Sequence, residues 1–136
     1  MITRLTLANG DWVDVKDRQT VGDESDVHGY ANEGHLPDGA GFKYNIAKHR
    51  TGTAAARIKN WSVTGLDDQK PIRWPGPGSA FLERAKVFRG LYQEQGDEIV
   101  SAIEAHLKAL DEAKAEAKKE TQDGATDSEQ SSPSAS

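Results

Sequence analysis

Two short apolar runs open the chain, Ile2 to Leu7 and Asp11 to Val15, with Asn9-Gly10 between them. Asn and Gly tolerate the positive φ that a tight hairpin turn demands, so a β-hairpin is predicted. A two-residue loop sets Leu7 opposite Trp12 and Thr6 opposite Val13. One face then carries Leu5, Leu7 and Trp12, and the other Ile2, Val13 and Val15. An isolated hairpin is marginal in water, so this one must dock on the rest of the domain.

Apolar spacing thins out over residues 17–41, where five glycines (Gly22, Gly29, Gly34, Gly39 and Gly41) punctuate a polar, acidic stretch. That pattern predicts a mobile Gly-rich loop. Period-2 alternation returns at Phe42, Tyr44 and Ile46 and suggests a short strand. Thr53 is placed to cap a short helix through Ala54, Ala55 and Ile58 that enters an extended Trp61-Ser62-Val63.

Trp61 and Trp74 flank a turn-forming run from Gly65 to Pro71. A large ring on each side of a turn points to a corner folded onto one apolar surface, because each indole hides a large area. Trp61, Trp74 and Pro71 are accordingly assigned as structural scaffold, a ligand-stacking pair being the alternative. The following Trp74-Pro75-Gly76-Pro77-Gly78 reads as a stiff link, since its prolines remove donors and fix φ.

After that link, Phe81, Ala85, Phe88 and Tyr92 repeat at helical spacing from Ala80 to Tyr92, with Ser79 as cap. Gly96-Asp97 is expected to end this helix and cap the next. In the second helix Ile99, Val100, Ile103, Leu107 and Leu110 form a narrow stripe of the width of a helix-pair seam. Packing against the first helix accounts for it, and recruitment of a partner helix is the second possibility. Pairs such as Lys108 with Glu112 carry helix on to about Lys119. Beyond Glu120 nothing is large enough to bury, which predicts a disordered polar tail.

The expected class is therefore α+β. It comprises an N-terminal hairpin, a small mixed middle region, a C-terminal pair of amphipathic helices and an acidic tail. The domain spans residues 1–110 and the extension and tail 111–136. Of the net charge of −5, residues 111–136 hold seven acids against three bases, so the folded part is close to neutral. Overall acidity argues against a protein whose main work is gripping phosphates. One basic stretch stands apart: Lys43, Lys48, Arg50, Arg57 and Lys59 fall where no acid occurs between Asp38 and Asp67. It offers a nucleic-acid or acidic-protein patch, or else it offsets the acidic loop before it.

Catalytic chemistry finds no foothold in the pattern. The chain has no cysteine, which removes disulfides, thiolate metal sites and a thiol nucleophile. No Ser, His and Asp stand in a recognised arrangement. His28 and His35 with Asp23, Glu24, Asp26 and Glu33 match no ligand spacing, so neither metal nor cofactor is expected. No apolar run is long enough to span a membrane, and the N-terminus lacks a secretory pattern, so the expected location is cytoplasmic.

The likeness to a known family rests on Asn9-Gly10-Asp11-Trp12-Val13, Val21-Gly22-Asp23 and above all Trp61-Ser62-Val63-Thr64. An acidic turn, Lys70-Pro71-Ile72, an amphipathic helical pair and a polar tail follow. Over roughly residues 2–110 this order resembles the tail assembly chaperones of long-tailed bacteriophages. Where such proteins often have an acidic pair followed by Gly, this chain reads Asp67-Asp68-Gln69-Lys70, and the basic stretch 43–59 does not map onto the family.

The resemblance implies a non-enzymatic role in the infected host cell. Such a protein binds the tape-measure protein and keeps it soluble while tail-tube protein polymerises around it. It also implies a longer frameshift product of the same gene. Ile99, Val100, Ile103, Leu107 and Leu110 are the candidate partner contacts. The alternatives are a structural virion subunit of the tail or connector, or a nucleic-acid-associated factor using the basic stretch.

Overall fold

Strands β1 (Ile2–Thr6) and β2 (Trp12–Lys16) pair antiparallel in the computed structural model, which describes residues 1–39 and 41–129. The hairpin is present, but its register is one residue off the expected one. Thr6 faces Trp12 and Leu5 faces Val13. The cause is a three-residue loop. Leu7 N–H donates to Asp11 O (2.7 Å), Gly10 N–H to Leu7 O (3.0 Å), and Gly10 takes φ +94°. This is a turn closed by a left-handed glycine rather than a two-residue turn.

A one-residue slip exchanges the faces. Val13 and Val15 join Leu5 and Leu7 on the core side, and Trp12 moves to the other. There the Arg4 guanidinium lies 3.7 Å from the Trp12 ring centroid and pairs with Asp14 (2.8 Å).

β5 (Ile58–Trp61) adds to the free edge of β2, so the sheet order is β1-β2-β5 and the β2 valines sit at its centre. The Trp61–Trp74 corner then covers the sheet end. The two ring centroids are 4.5 Å apart, and both indoles are buried. Each ring nitrogen reaches across the corner: Trp61 Nε1–H donates to Ile72 O (2.6 Å), and Trp74 Nε1–H to Ile58 O (3.1 Å). Between them Thr64 bridges Pro71, and Ile72 N–H donates to Val63 O. Of the three residues assigned as scaffold, Trp61 and Trp74 are buried in this corner and Pro71 is exposed on its turn.

The expected loop over 17–41 is corrected. Residues Val21–Ala31 form helix α1, and a small hairpin follows, β3 (Asn32–His35) with β4 (Phe42–Tyr44). A capping box starts the helix. The Thr20 side chain accepts from Asp23 N–H (3.0 Å), and the Asp23 carboxylate accepts from Thr20 N–H (3.0 Å). These reciprocal bonds satisfy two end donors and offset the cost of Gly22 and Gly29. Val27 and Ala31, four apart, bury the helix.

Asp23 also pairs with Lys16 on β2, tying the cap to the sheet. Burial pushes its carboxyl up, but the bonds from Lys16 and Thr20 outweigh that, and the net position is below the ordinary 3.8. A carboxylate with a depressed folded pKa contributes stability that is complete above the unfolded pKa and is lost as pH falls through the folded one. Urea midpoints should therefore fall as the solution is acidified below about pH 4, and Asp23→Asn should flatten that part of the profile. Thr20→Ala should cost about 1 kcal/mol at neutral pH.

Helix α2 spans Ile46–Arg57, twelve residues capped by Asn45, whose side chain accepts from Lys48 N–H. It starts seven residues before the expected Thr53 cap. Apolar spacing hid it because its buried face is small: Gly52, Ala54, Ala55 and Ala56. A Cβ on Gly52 would stand 3.4 Å from Val27 Cγ1 and 3.5 Å from Val27 Cα, so α1 and α2 approach through the glycine.

Helix α3 (Phe81–Arg89) packs on α2, with Ala85 and Phe88 buried and Phe81 edge-on to Tyr30. Gly90 ends it, and helix α4 (Gln93–Glu129) begins three residues later. Gly96-Asp97 is consequently no boundary. Gly96 lies inside α4, where a Cβ would stand 3.6 Å from the Phe88 ring.

The class is α+β, with the hairpin first and a long helix last. The chain divides into two units, Met1–Glu104 and Ala105 onward, so the first ends six residues short of the expected domain end at 110. In the second unit α4 continues to Glu129 rather than stopping near 119. Propagation adds one hydrogen bond per residue fixed and needs no burial. Of the expected disordered tail, residues 130–136 lie outside the described residues.

Candidate functional site

The stripe assigned to partner binding divides on folding. Ile99 and Ile103 are 1% exposed and Val100 4%, so these three belong to the core of the first unit. As folded they present no open seam to a visiting helix. Leu7 and Val63 share a cleft wall with Ile99, and Phe88 of α3 comes close to Gly96. Leu107 and Leu110 lie on the part of α4 that forms the second unit.

Two clefts nonetheless reach this core from the surface. The first, about 240 Å³, lies between the β1–β2 turn, the Val63–Leu66 segment and the first turns of α4. Leu7, Val63 and Ile99 line it, and Leu66 stands 41% exposed beside them. Its other walls carry Asp11, Glu94 and Glu98 and no basic residue. Glu98 is held in place by the Ala8 N–H (2.7 Å), and Gln95 Nε2–H donates to Thr64 O (2.8 Å), so α4 is stitched to both loops. An apolar floor under an all-acidic rim suits an apolar side chain with a cation beside it.

The second cleft, about 340 Å³, lies between α2 and the α3–α4 junction, with Val100 and Phe88 in its wall. Its charges are mixed: Arg50, Arg89 and Asp97. Tyr92 lines it too, half-exposed, and its hydroxyl donates to Asp67. That carboxylate pushes the Tyr92 hydroxyl above its ordinary value by stabilising the protonated form.

The basic stretch does not assemble into one face. Lys43 and Lys48 both lie by Glu33, at 3.9 and 3.2 Å. The side-chain bond from Asn45 and that from Lys48 hold Glu33 below the usual carboxylate range. Arg50 turns instead to Asp97 and Glu104, each at 3.7 Å. Arg57 Nη1–H donates to Lys16 O (3.0 Å) across the sheet. Lys59 is exposed on β5. Neighbouring helix positions point to different sides, so four of these cations are drawn into contacts within the fold.

The histidines are distributed differently from the considered metal set. His28 and His49 converge on the Tyr44 hydroxyl (3.3 and 2.6 Å), while His35 stacks on Phe42. Among the described residues no group of three or more His, Asp or Glu is placed to hold a metal ion. Among them, too, no helix is long and apolar enough to cross a membrane.

Sequence reasoning missed the cleft residues Leu66, Glu94 and Glu98. The available signal was Leu66 itself, a large apolar residue alone in a polar turn. Comparison with family models, curated proteins and solved structures gives no match.

Proposed function

We propose that the chain is a client-binding module that acts by contact, with no bond made or broken. Specifically, we read it as a phage tail assembly chaperone that holds the tape-measure protein soluble in the infected cell while tail-tube protein polymerises. The observation that carries this reading is the apolar cleft of Leu7, Val63 and Ile99 with exposed Leu66 and an acidic rim. It suits an amphipathic helix that presents leucine-like side chains flanked by lysine or arginine. The contact set therefore moves from the stripe itself to the cleft edge, with Ile99 as floor rather than handle.

The test is co-expression with the tape-measure protein. The client should be recovered soluble with this chain and insoluble without it, and Leu66→Asp should abolish the rescue while leaving the fold intact, because Leu66 is exposed. Unchanged client solubility with the native chain would sink the reading. Finding the chain as a stoichiometric component of purified particles would instead favour a structural subunit.

A further inference from the structure

A different cavity, of about 130 Å³, opens between β5 and the Trp74–Gly78 link. Three basic residues line it, Lys16, Lys59 and Arg84, and no acidic one does. Lys16 is matched by Asp23. The other two are not. Arg84 is half-buried, and all its hydrogen bonds go to neutral oxygens: Nε–H to Ala55 O (2.8 Å), Nη1–H to Ser79 O (2.6 Å) and Ser79 Oγ (3.2 Å). Its Nη2 edge has no protein acceptor among the described residues, and Lys59 has no ion-pair partner among them.

Arg4, Lys43, Lys48 and Arg50 each meet a carboxylate, while Arg84 and Lys59 line one cavity without one. A half-buried guanidinium without a counter-charge favours an anion beside it. Ala55 and Ser79 engage Nε–H and Nη1 and so fix the plane of the guanidinium, which leaves the Nη2 protons to donate to an oxyanion. Beside it the Gly76 and Gly78 amides donate to no protein acceptor among the described residues. A Cβ on Gly76 would meet nothing within 4 Å, so packing does not explain the bare backbone there. The volume is well below the roughly 300 Å³ of pockets for larger organic ligands.

We propose that the cavity between β5 and the Trp74–Gly78 link is an oxyanion site that takes a phosphate group, held by the Arg84 guanidinium and the Lys59 ammonium. Two uncompensated positive charges match the phosphate dianion. The group arrives either as free phosphate or as the terminal group of a monoester. The site shares no residue with the client cleft, so its test bears on this proposal alone.

The experiment is a titration of the full chain with inorganic phosphate at constant ionic strength, read by amide and Arg Nε–H resonances. Saturable shifts are expected at Lys59, Gly76, Gly78 and the Arg84 side chain, with chloride producing none. Lys59→Gln should weaken binding about tenfold. Its exposed side chain makes that variant safe for the fold, whereas Arg84→Gln removes both the guanidinium and its three internal bonds. Phenyl phosphate distinguishes the sources: equal binding identifies a monoester ligand, and binding of inorganic phosphate alone identifies the free ion. Non-saturating shifts like those of chloride, or wild-type affinity in Lys59→Gln, overturn the proposal.

Discussion

Trp74→Ala is expected to remove about 3–5 kcal/mol of stability. For a unit of this size, whose whole stability is on the order of 5–15 kcal/mol, that is roughly a fifth or more. The loss has two parts. The ring is 5% exposed and lies 4.5 Å from Trp61, so its removal leaves a void that the stiff Pro75–Gly78 link cannot fill. Its Nε1–H also satisfies the carbonyl of Ile58, the residue at which α2 gives way to β5.

Trp74→Phe separates these parts. It keeps most of the ring but strands the Ile58 carbonyl, for an expected loss of about 1–3 kcal/mol. Denaturant titrations of both variants measure the two parts. A double-mutant cycle with Trp61→Ala should return a coupling of about 0.5–1.5 kcal/mol. A loss below about 1 kcal/mol for Trp74→Ala would show that the corner is peripheral.

The corner was legible in the sequence because a tryptophan pair around a turn has few other uses. The hairpin was legible in kind but not in register. Asn9-Gly10 is compatible with a two- or three-residue loop, and only the Leu7–Asp11 closure decides which. That single residue of difference sends Trp12 out and Val13 in.

Helix α1 carried a readable signal in Thr20 and Asp23, which its glycines masked. Helix α2 carried almost none. A face of Gly52, Ala54, Ala55 and Ala56 buries well only because Val27 comes to meet it, and that is a tertiary fact. The basic stretch shows the same limit in electrostatics. Its residue types were plain, but Glu33, Asp97 and Glu104, which claim three of its cations, are brought up from both sides by the fold. The clefts depend on three separated segments meeting, so composition could not reveal them.

Ile103→Ala decides what the α4 stripe is for. If it is core, as its 1% exposure indicates, the substitution should cost about 2–5 kcal/mol, and Ile99→Ala a similar amount. Client rescue, measured below the unfolding transition, should then be unchanged for Ile103→Ala, because Ile103 lines neither cleft. A docking face behaves in the opposite way: stability holds and rescue fails. Leu66→Asp supplies the converse pattern, since a residue at a cleft edge should affect rescue and leave the denaturation midpoint near that of the native chain. If Ile103→Ala left stability within about 0.5 kcal/mol and abolished rescue, the stripe would be the binding surface. The α4 helix would then have to give up its bonds to Ala8 and Thr64 to engage its client. The two variants together separate a rigid cleft from a helix that opens.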